Sequence, residues 1–513
     1  MSASSFFPGS PPRRALIVGA MLGLQACSGS MPDAARGQEA APAPDAASPS
    51  DAAPPADAAP APDAAPGDSA PPPDDGTAGS EIPTAVRIIH VTNAAQLTAA
   101  LAGNLADVTT VPAGASGPLQ PGDHLVLADG TYGGTFTTSR AGDTDAAPII
   151  VKAENLLGAR FTGTFNVNHA DVWLWGLRFD GQNATGTHVV LKGQRARLQR
   201  CRFERVDSPD AVGQDTSGAI LVSVQGPDNK IYFSEFTDLD GRCISGKANG
   251  STPMRAPHIY RCHFHDYRQA LGNANAREAI QLGQTQIPDG EPVQETVGGL
   301  IEACLFQRWN TGGDDENETI SIKSSGNTVR GSTFVDTNLL NIRFGDDNRI
   351  ESNWFEGVAS SEVMGIGVYG DRNLLIANHC AGTGPRILVN SGNQSMDVGH
   401  TGENAGNSYA WNQTQDNPFA RDAKVISNEC RLRVGNNTDT SDVEPHLPCQ
   451  RTVVEDHRGT IDTQHDYPGS WDTPTAGLAE SGTTYGATPT ATAPAPIKLT
   501  PADVGPAAPW VAP

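Results

Sequence analysis

The sequence predicts an all-β chain wound as a parallel β-helix, and three observations carry that expectation. A six-residue pattern ending in phenylalanine returns seven times, a row of small residues keeps register with it, and the Asn-Gly turns that mark hairpins are scarce. The pattern reads apolar residue, two residues, small residue or Cys, any residue, Phe. Its instances are LWGLRF, LQRCRF, IYFSEF, IYRCHF, IEACLF, VRGSTF and IESNWF, ending at Phe179, Phe203, Phe236, Phe264, Phe306, Phe334 and Phe355. Successive spacings of 24, 33, 28, 42, 28 and 21 residues share a floor near 21 with irregular excess. Coils of constant core and variable loops give that signature.

The elements follow in order. Arg13-Arg14, the short apolar run Ala15 to Leu24 and the ending Leu24-Gln25-Ala26-Cys27 read as an export signal over residues 1–27, with Cys27 as the acylated residue of a bacterial lipoprotein. That run is too short to span a membrane. Residues 28–84 are Ala-, Pro- and Asp-rich, with Asp45, Asp51, Asp57 and Asp63 recurring every six residues. Such a segment buries no core and serves as an extended linker. The folded domain is expected over residues 85–483, opening with a short capping helix in Asn93 to Leu101, where Leu97 and Leu101 lie one turn apart. Residues 484–513 form a Pro-, Ala- and Thr-rich tail.

Two residues before the phenylalanines stand Cys201, Ser234, Cys262, Cys304, Ser332 and Asn353. They are expected to stack inside the solenoid, the cysteines as small apolar residues rather than disulfides or metal ligands. Cys430 and Cys449 flank a polar loop and form a candidate bridge. With 35 Lys+Arg against 58 Asp+Glu, the formal charge of -23 argues against a nucleic-acid partner. No CxxC pair, HExxH, GxSxG or phosphate-binding loop occurs, which removes zinc peptidase, serine hydrolase and P-loop readings.

The chemistry concentrates in Glu316-Asn317-Glu318-Thr319-Ile320-Ser321-Ile322-Lys323 and in Arg343, twenty residues later. In an ordinary strand both glutamates would share a face with Ile320 and Ile322, leaving Lys323 opposite. A turn between the glutamates and the following strand would bring the carboxylates and the lysine to one groove. Adjacent carboxylates call for a cation or a proton.

Together with PGDHLVLADGTYGG, NAREAIQLG (Asn275 to Gly283) and NIRFGDDNRIESNWFEG (Asn341 to Gly357), the ENETISIKSSGN block resembles the polysaccharide lyase family, family six, that contains chondroitinase B and many alginate lyases. The likeness runs from about Val91 to about Asn393. It implies a right-handed, single-stranded parallel β-helix and β-elimination on a uronic-acid polymer. It places calcium ligands at Asn275, Glu316 and Glu318, the Brønsted base at Lys323 and the acid or charge stabiliser at Arg343. Three positions depart from the family pattern: Gln281, Phe344 and Gly367 stand where many members carry Arg, His and Arg.

The expected function is a calcium-dependent lyase on alginate, acting as a monomer that is exported and reaches the membrane only through a lipid at Cys27. A dermatan or chondroitin sulfate lyase is the alternative within that class, and a non-catalytic carbohydrate-binding β-helix outside it. A hydrolase would need paired carboxylates, for which Asp314, Asp315, Asp346 and Asp347 are the candidates. His258, His263 and His265 lie near Arg261 and are candidates for the groove, although histidines of the core or surface are the commoner case.

Overall fold

The structure is a computed structural model, and it describes residues 81–184, 186–206, 220–246, 254–267, 278–283, 296–309, 318–357, 364–389, 422–434, 452–455, 457–458, 461–462, 484–485 and 496–509. Asn275, Glu316, Cys27 and Cys449 lie outside the described residues, as does nearly all of the linker and the signal. Among the described residues no helix is long and apolar enough to cross a membrane.

The chain winds as a parallel β-helix of three sheets, with 15, 10 and 12 described strands. Each coil contributes one short strand to each sheet in turn, so neighbours in a sheet come from successive coils. The described strands pair in parallel, apart from Arg87–Val91 against Thr109–Val111 at the start. The expected helix forms over Ala94–Leu101, where the Asn93 side chain accepts the Gln96 N–H and Leu97, Ala100 and Leu101 are buried.

The six-residue pattern is the corner between the fifteen- and ten-stranded sheets. Three residues before each phenylalanine the backbone turns left-handed, at Gly176, Arg200, Phe233, Arg261, Ala303, Gly331 and Ser352. The corner needs positive φ in every coil, at about 1–2 kcal/mol for each residue other than glycine. The next residue points inward and meets its equivalents. Cys201 N–H donates to Ser234 Oγ at 3.2 Å, Cys304 N–H to Ser332 Oγ at 3.1 Å, and Ser332 N–H to Asn353 Oδ1 at 3.0 Å. The row continues through Asn378 and Asn428, each accepting from the coil before it. Cys201, Cys262 and Cys304 are free and buried in this row, as expected.

The phenylalanines form an inner column. From Phe179 to Phe355 adjacent rings stack with centroids 4.6–4.9 Å apart and planes within 9° of parallel. This is the inter-strand spacing itself, so one ring per coil fills the core without a gap. The column ends where Phe355 pairs in register with Cys380. Cys380 is bonded to Cys430, so Cys430 is taken and the candidate Cys430–Cys449 bridge does not form. Cys380 occupies a phenylalanine position, 25 residues after Phe355, and that places it half-buried against the core beside the next coil.

The chain ends of the described part return to the solenoid. Glu81 takes the Nε of Arg200 at 2.6 Å, and Ile82 packs on Ile150 and Trp173. Residues 496–509 run back across the corner: Leu499 N–H donates to Thr333 Oγ1, Arg261 to Asp503 O, and Arg200 to the carbonyls of Pro506 and Ala508. Leu499, Val504 and Ala508 cover Leu305, Tyr232, Phe233 and Tyr260.

Candidate active site

The site lies on the outer face of the twelve-stranded sheet. There Ile244, Ile280, Ile320, Leu340 and Ile366 align inward from five successive coils. The residues following them, Ser245, Gln281, Ser321, Asn341 and Gly367, align outward. Lys323 ends the Glu318–Lys323 strand and points out with Ser321, as period two requires.

Two bulges bring the charges together. Between Glu318 and Ile320 the pairing slips by one residue, so Thr319 is extra, and its hydroxyl accepts the Asn338 N–H at 3.0 Å. The slip breaks the parity that would have put Glu318 inward with Ile320. Glu318 instead accepts the Asn341 side-chain amide at 2.7 Å and lies 3.9 Å from the Arg343 guanidinium. The second slip falls between Ile322 and Lys323, which pair with Ile342 and Phe344, so Arg343 is the extra residue on its strand. Bulges of this kind re-aim single side chains.

Glycine permits the close approach around Lys323. A Cβ on Gly283 would fall 2.3 Å from the Lys323 carbonyl, and one on Gly345 2.0 Å from the Ser324 carbonyl; both residues have positive φ. The Ser-Ser-x-Asn part of the motif is the corner that follows. Ser324 bonds the Leu282 carbonyl, Ser325 Oγ accepts the Asp346 N–H, and Asn327 joins a second row with Asn348 and Asn373.

A second buried ion pair completes the site. Arg242, one strand before the Ile280–Gly283 strand, holds Glu278 at 2.8 Å. Burial raises the proton affinity of Glu278, but Arg242 and Lys323 overcome it and keep the carboxyl below its ordinary range. Glu318 goes the other way: burial, with help from Glu278, outweighs Arg343 and Lys323 and lifts its pKa. Lys323 is lowered, chiefly by burial and further by Arg343 and Arg242, against the pull of Glu318 and Glu278. A lowered proton affinity is the direction that lets a lysine accept a proton.

The donor set fits a hard cation. Glu318 Oε2, Gln281 Oε1 and Asn341 Oδ1 are buried acceptors without a donor among the described residues. Three left-over oxygens on adjacent strands of one face suit an ion that takes oxygen ligands, and such an ion would keep Glu318 ionised.

Lys323, Arg343 and Glu318 are therefore brought together. Glu278, Arg242 and Asn341 join them without having been singled out, although Glu278 sits inside the quoted NAREAIQLG segment. Arg242 carried no sequence signal, because its partner arrives from another coil. The altered positions Gln281 and Gly367 lie in the outward row, and Phe344 pairs with Lys323. His258 stands on the fifteen-stranded sheet, and His263 and His265 on the ten-stranded one, so none of the three faces the Lys323 sheet. Asp346 is fully buried and bonds the Asp371 N–H, while Arg372 holds Asp347, so both are structural rather than a hydrolytic pair.

Among known proteins, the family model described as chondroitinase B matches residues 114–446. The alginate lyase AlyF-OU02 in complex with G6 superposes with a TM-score of 0.56 at 19% identity, covering 72% of this chain and 79% of that one. A mannuronic acid specific family 6 polysaccharide lyase from human gut microbiota gives 0.51 at 18%, over 78% and 92%. The PL6 family polysaccharide lyase Pedsa3628 from Pseudopedobacter saltans gives 0.57 at 15%, over 83% and 100%. At these identities the likeness speaks for the fold. No curated protein matches.

Proposed function

The chain belongs to the chondroitinase B family of polysaccharide lyases, and from that premise we propose that it cleaves alginate by calcium-assisted β-elimination, with Lys323 as base. The observation that carries the proposal is one half-buried lysine of lowered proton affinity, set among two buried carboxylates and two guanidinium groups on the outer face of the twelve-stranded sheet.

A uronate's C5 proton is weakly acidic, and its removal develops charge on a group already negative. Calcium, when bound through Glu318 with Glu316, Asn275 and the spare oxygens of Gln281 and Asn341, supplies a Lewis acid that neutralises the sugar carboxylate. Lys323 Nζ takes the C5 proton, the C4–oxygen bond breaks, and a C4–C5 double bond forms in the sugar that becomes the new non-reducing end of the reducing-side fragment. Arg343 faces the developing charge. Its guanidinium keeps its proton, so it acts by charge and hydrogen bonding, and the leaving oxygen is protonated by the Lys323 ammonium or through water.

Support for an alginate-type polymer over a sulfated one comes from Gln281 and Gly367, two outward positions that carry no cation to meet a sulfate. The test is an ultraviolet assay for the unsaturated product on alginate, polymannuronate, polyguluronate, dermatan sulfate and pectate, with and without chelator. Alginate or one of its blocks should give the largest signal, and chelator should remove it. Cleavage of dermatan sulfate alone moves the substrate. Binding without chromophore leaves a carbohydrate-binding solenoid, and new reducing ends without chromophore would mean hydrolysis.

Export and anchoring through Cys27 belong to the same proposal and rest on the Leu-x-Ala-Cys ending. Palmitate labelling that persists in Cys27→Ser would refute them. A single mass in solution at the weight of one chain is expected.

A further inference from the structure

The ten-stranded sheet carries a second group of ligating side chains, away from the lysine. Glu235 on its strand pairs with His263 on the next coil, and His265 lies two residues further along the same outer face. One carboxylate oxygen of Glu235 and one ring nitrogen of each histidine all lie within 4.8 Å of one another. The imidazole rings stack with centroids 4.0 Å apart. We infer that Glu235, His263 and His265 form a site for a borderline divalent transition metal, of which zinc is the representative, and that the ion ties together two neighbouring coils.

The donor set distinguishes this site from the calcium proposal. Two imidazoles and one carboxylate are a zinc set, whereas calcium takes oxygens. The outer contacts also fit. Metal-bound histidines hold their second ring nitrogen with a carboxylate or carbonyl, which fixes the tautomer and turns the other lone pair to the ion. His265 Nδ1 lies 2.7 Å from Asp266 Oδ2, leaving Nε2 directed at Glu235 Oε1, 2.9 Å away. His263 Nε2 lies 3.0 Å from Gln307 Oε1 on the following coil. Glu235 divides its oxygens, with Oε2 3.5 Å from Arg202 Nε and Oε1 on the histidine side. A single-oxygen carboxylate ligand results. His263 is buried while Glu235 and His265 are half-buried, so the group is fixed on one side and reachable from the other.

Other histidine–carboxylate contacts, His258 with Glu302 and His379 with Glu429, bring one imidazole each and make no such set among the described residues.

The test uses the full chain without a histidine tag. Competition against a chromophoric zinc chelator should show one zinc per chain, and cobalt substituted for it should give the intense visible bands of a four-coordinate site. The melting temperature should rise with zinc in a dose-dependent way. Glu235→Gln and His265→Gln should each weaken zinc by at least about tenfold, the scale on which metal sites respond to lost contacts. His265→Gln, at a half-buried position, keeps the test valid if His263→Ala does not fold. Glu318→Gln should leave zinc affinity unchanged. The inference is overturned if cobalt gives only the weak spectrum of an aqueous ion, if zinc binding survives His265→Gln and Glu235→Gln at the parent strength, or if Glu318→Gln removes it.

Discussion

Two faces of the same solenoid treat buried polar groups in opposite ways. At the corner after the fifteen-stranded sheet, Ser332, Asn353, Asn378 and Asn428 pass hydrogen bonds from coil to coil; Asn353, for instance, gives its amide to Val329 O and Asn378 Oδ1 and takes the Ser332 N–H. On the outer face of the twelve-stranded sheet, Glu318, Gln281 and Asn341 keep acceptors without donors among the described residues, and Lys323 and Glu318 are pushed off their ordinary pKa values. The corner is built to be satisfied by the chain alone. The groove is built to be satisfied by something that arrives.

That difference is open to attack from both sides. Lys323→Ala should cut the rate of unsaturated product formation by about 10²–10⁴ and leave the urea midpoint nearly where it was, since the residue is one partly buried side chain at a strand end. Lys323→Arg should do no better, because guanidinium holds its proton. Parent turnover in either variant would remove the base from the mechanism. Phe306→Ala should show the reverse signature. Its ring lies between Phe264 and Phe334, so truncation should cost about 3–5 kcal/mol in denaturant unfolding, while the folded fraction keeps its rate at low temperature; a loss below 1 kcal/mol would show that the column relaxes.

His124 sharpens the contrast, because it too has a buried nitrogen without a partner among the described residues, far along the chain from the lysine. Burial, with Lys152 nearby, lowers its pKa to about 4. Protonation therefore favours the unfolded chain, and the stability present above pH 6.5 is lost as pH falls toward 4, by about 3 kcal/mol in all. His124→Gln should flatten thermal stability across that window. An unchanged slope would mean that carboxylates alone set the acid limb. The smallest effect is expected at the corner: Asn353→Ala should cost about 1–3 kcal/mol by stranding the Ser332 N–H, with the lyase rate unaltered.

Much of this was legible in the sequence because a solenoid repeats its constraints. Seven coils share a left-handed corner and a ring, and six of them a small inward residue, so the pattern was visible despite loops of unequal length. Lys323, Arg343 and Glu318 were legible as a motif. The geometry that unites them was not, since strict alternation puts Glu318 on the face opposite Lys323, and only the slip at Thr319 reverses it. The Arg242–Glu278 pair was hidden for another reason: its members come from different coils, and spacing along the chain carries no trace of them. Cys380 escaped because it replaces the phenylalanine that would have announced it.

Arg200 ties Glu81 on one side and the carbonyls of Pro506 and Ala508 on the other. Seen in the order of synthesis, this arginine has one partner already made before it and the other made some three hundred residues after it. Coils that emerge early can pair strand on strand as they appear, but the strip of Tyr232, Phe233, Tyr260 and Leu305 stays uncovered until Leu499, Val504 and Ala508 are made and swing back, by some three hundred positions in the case of Arg200 and Ala508. During that interval the nascent solenoid presents an adhesive seam to its neighbours, and the stretch from Leu499 to Ala508 is what closes it.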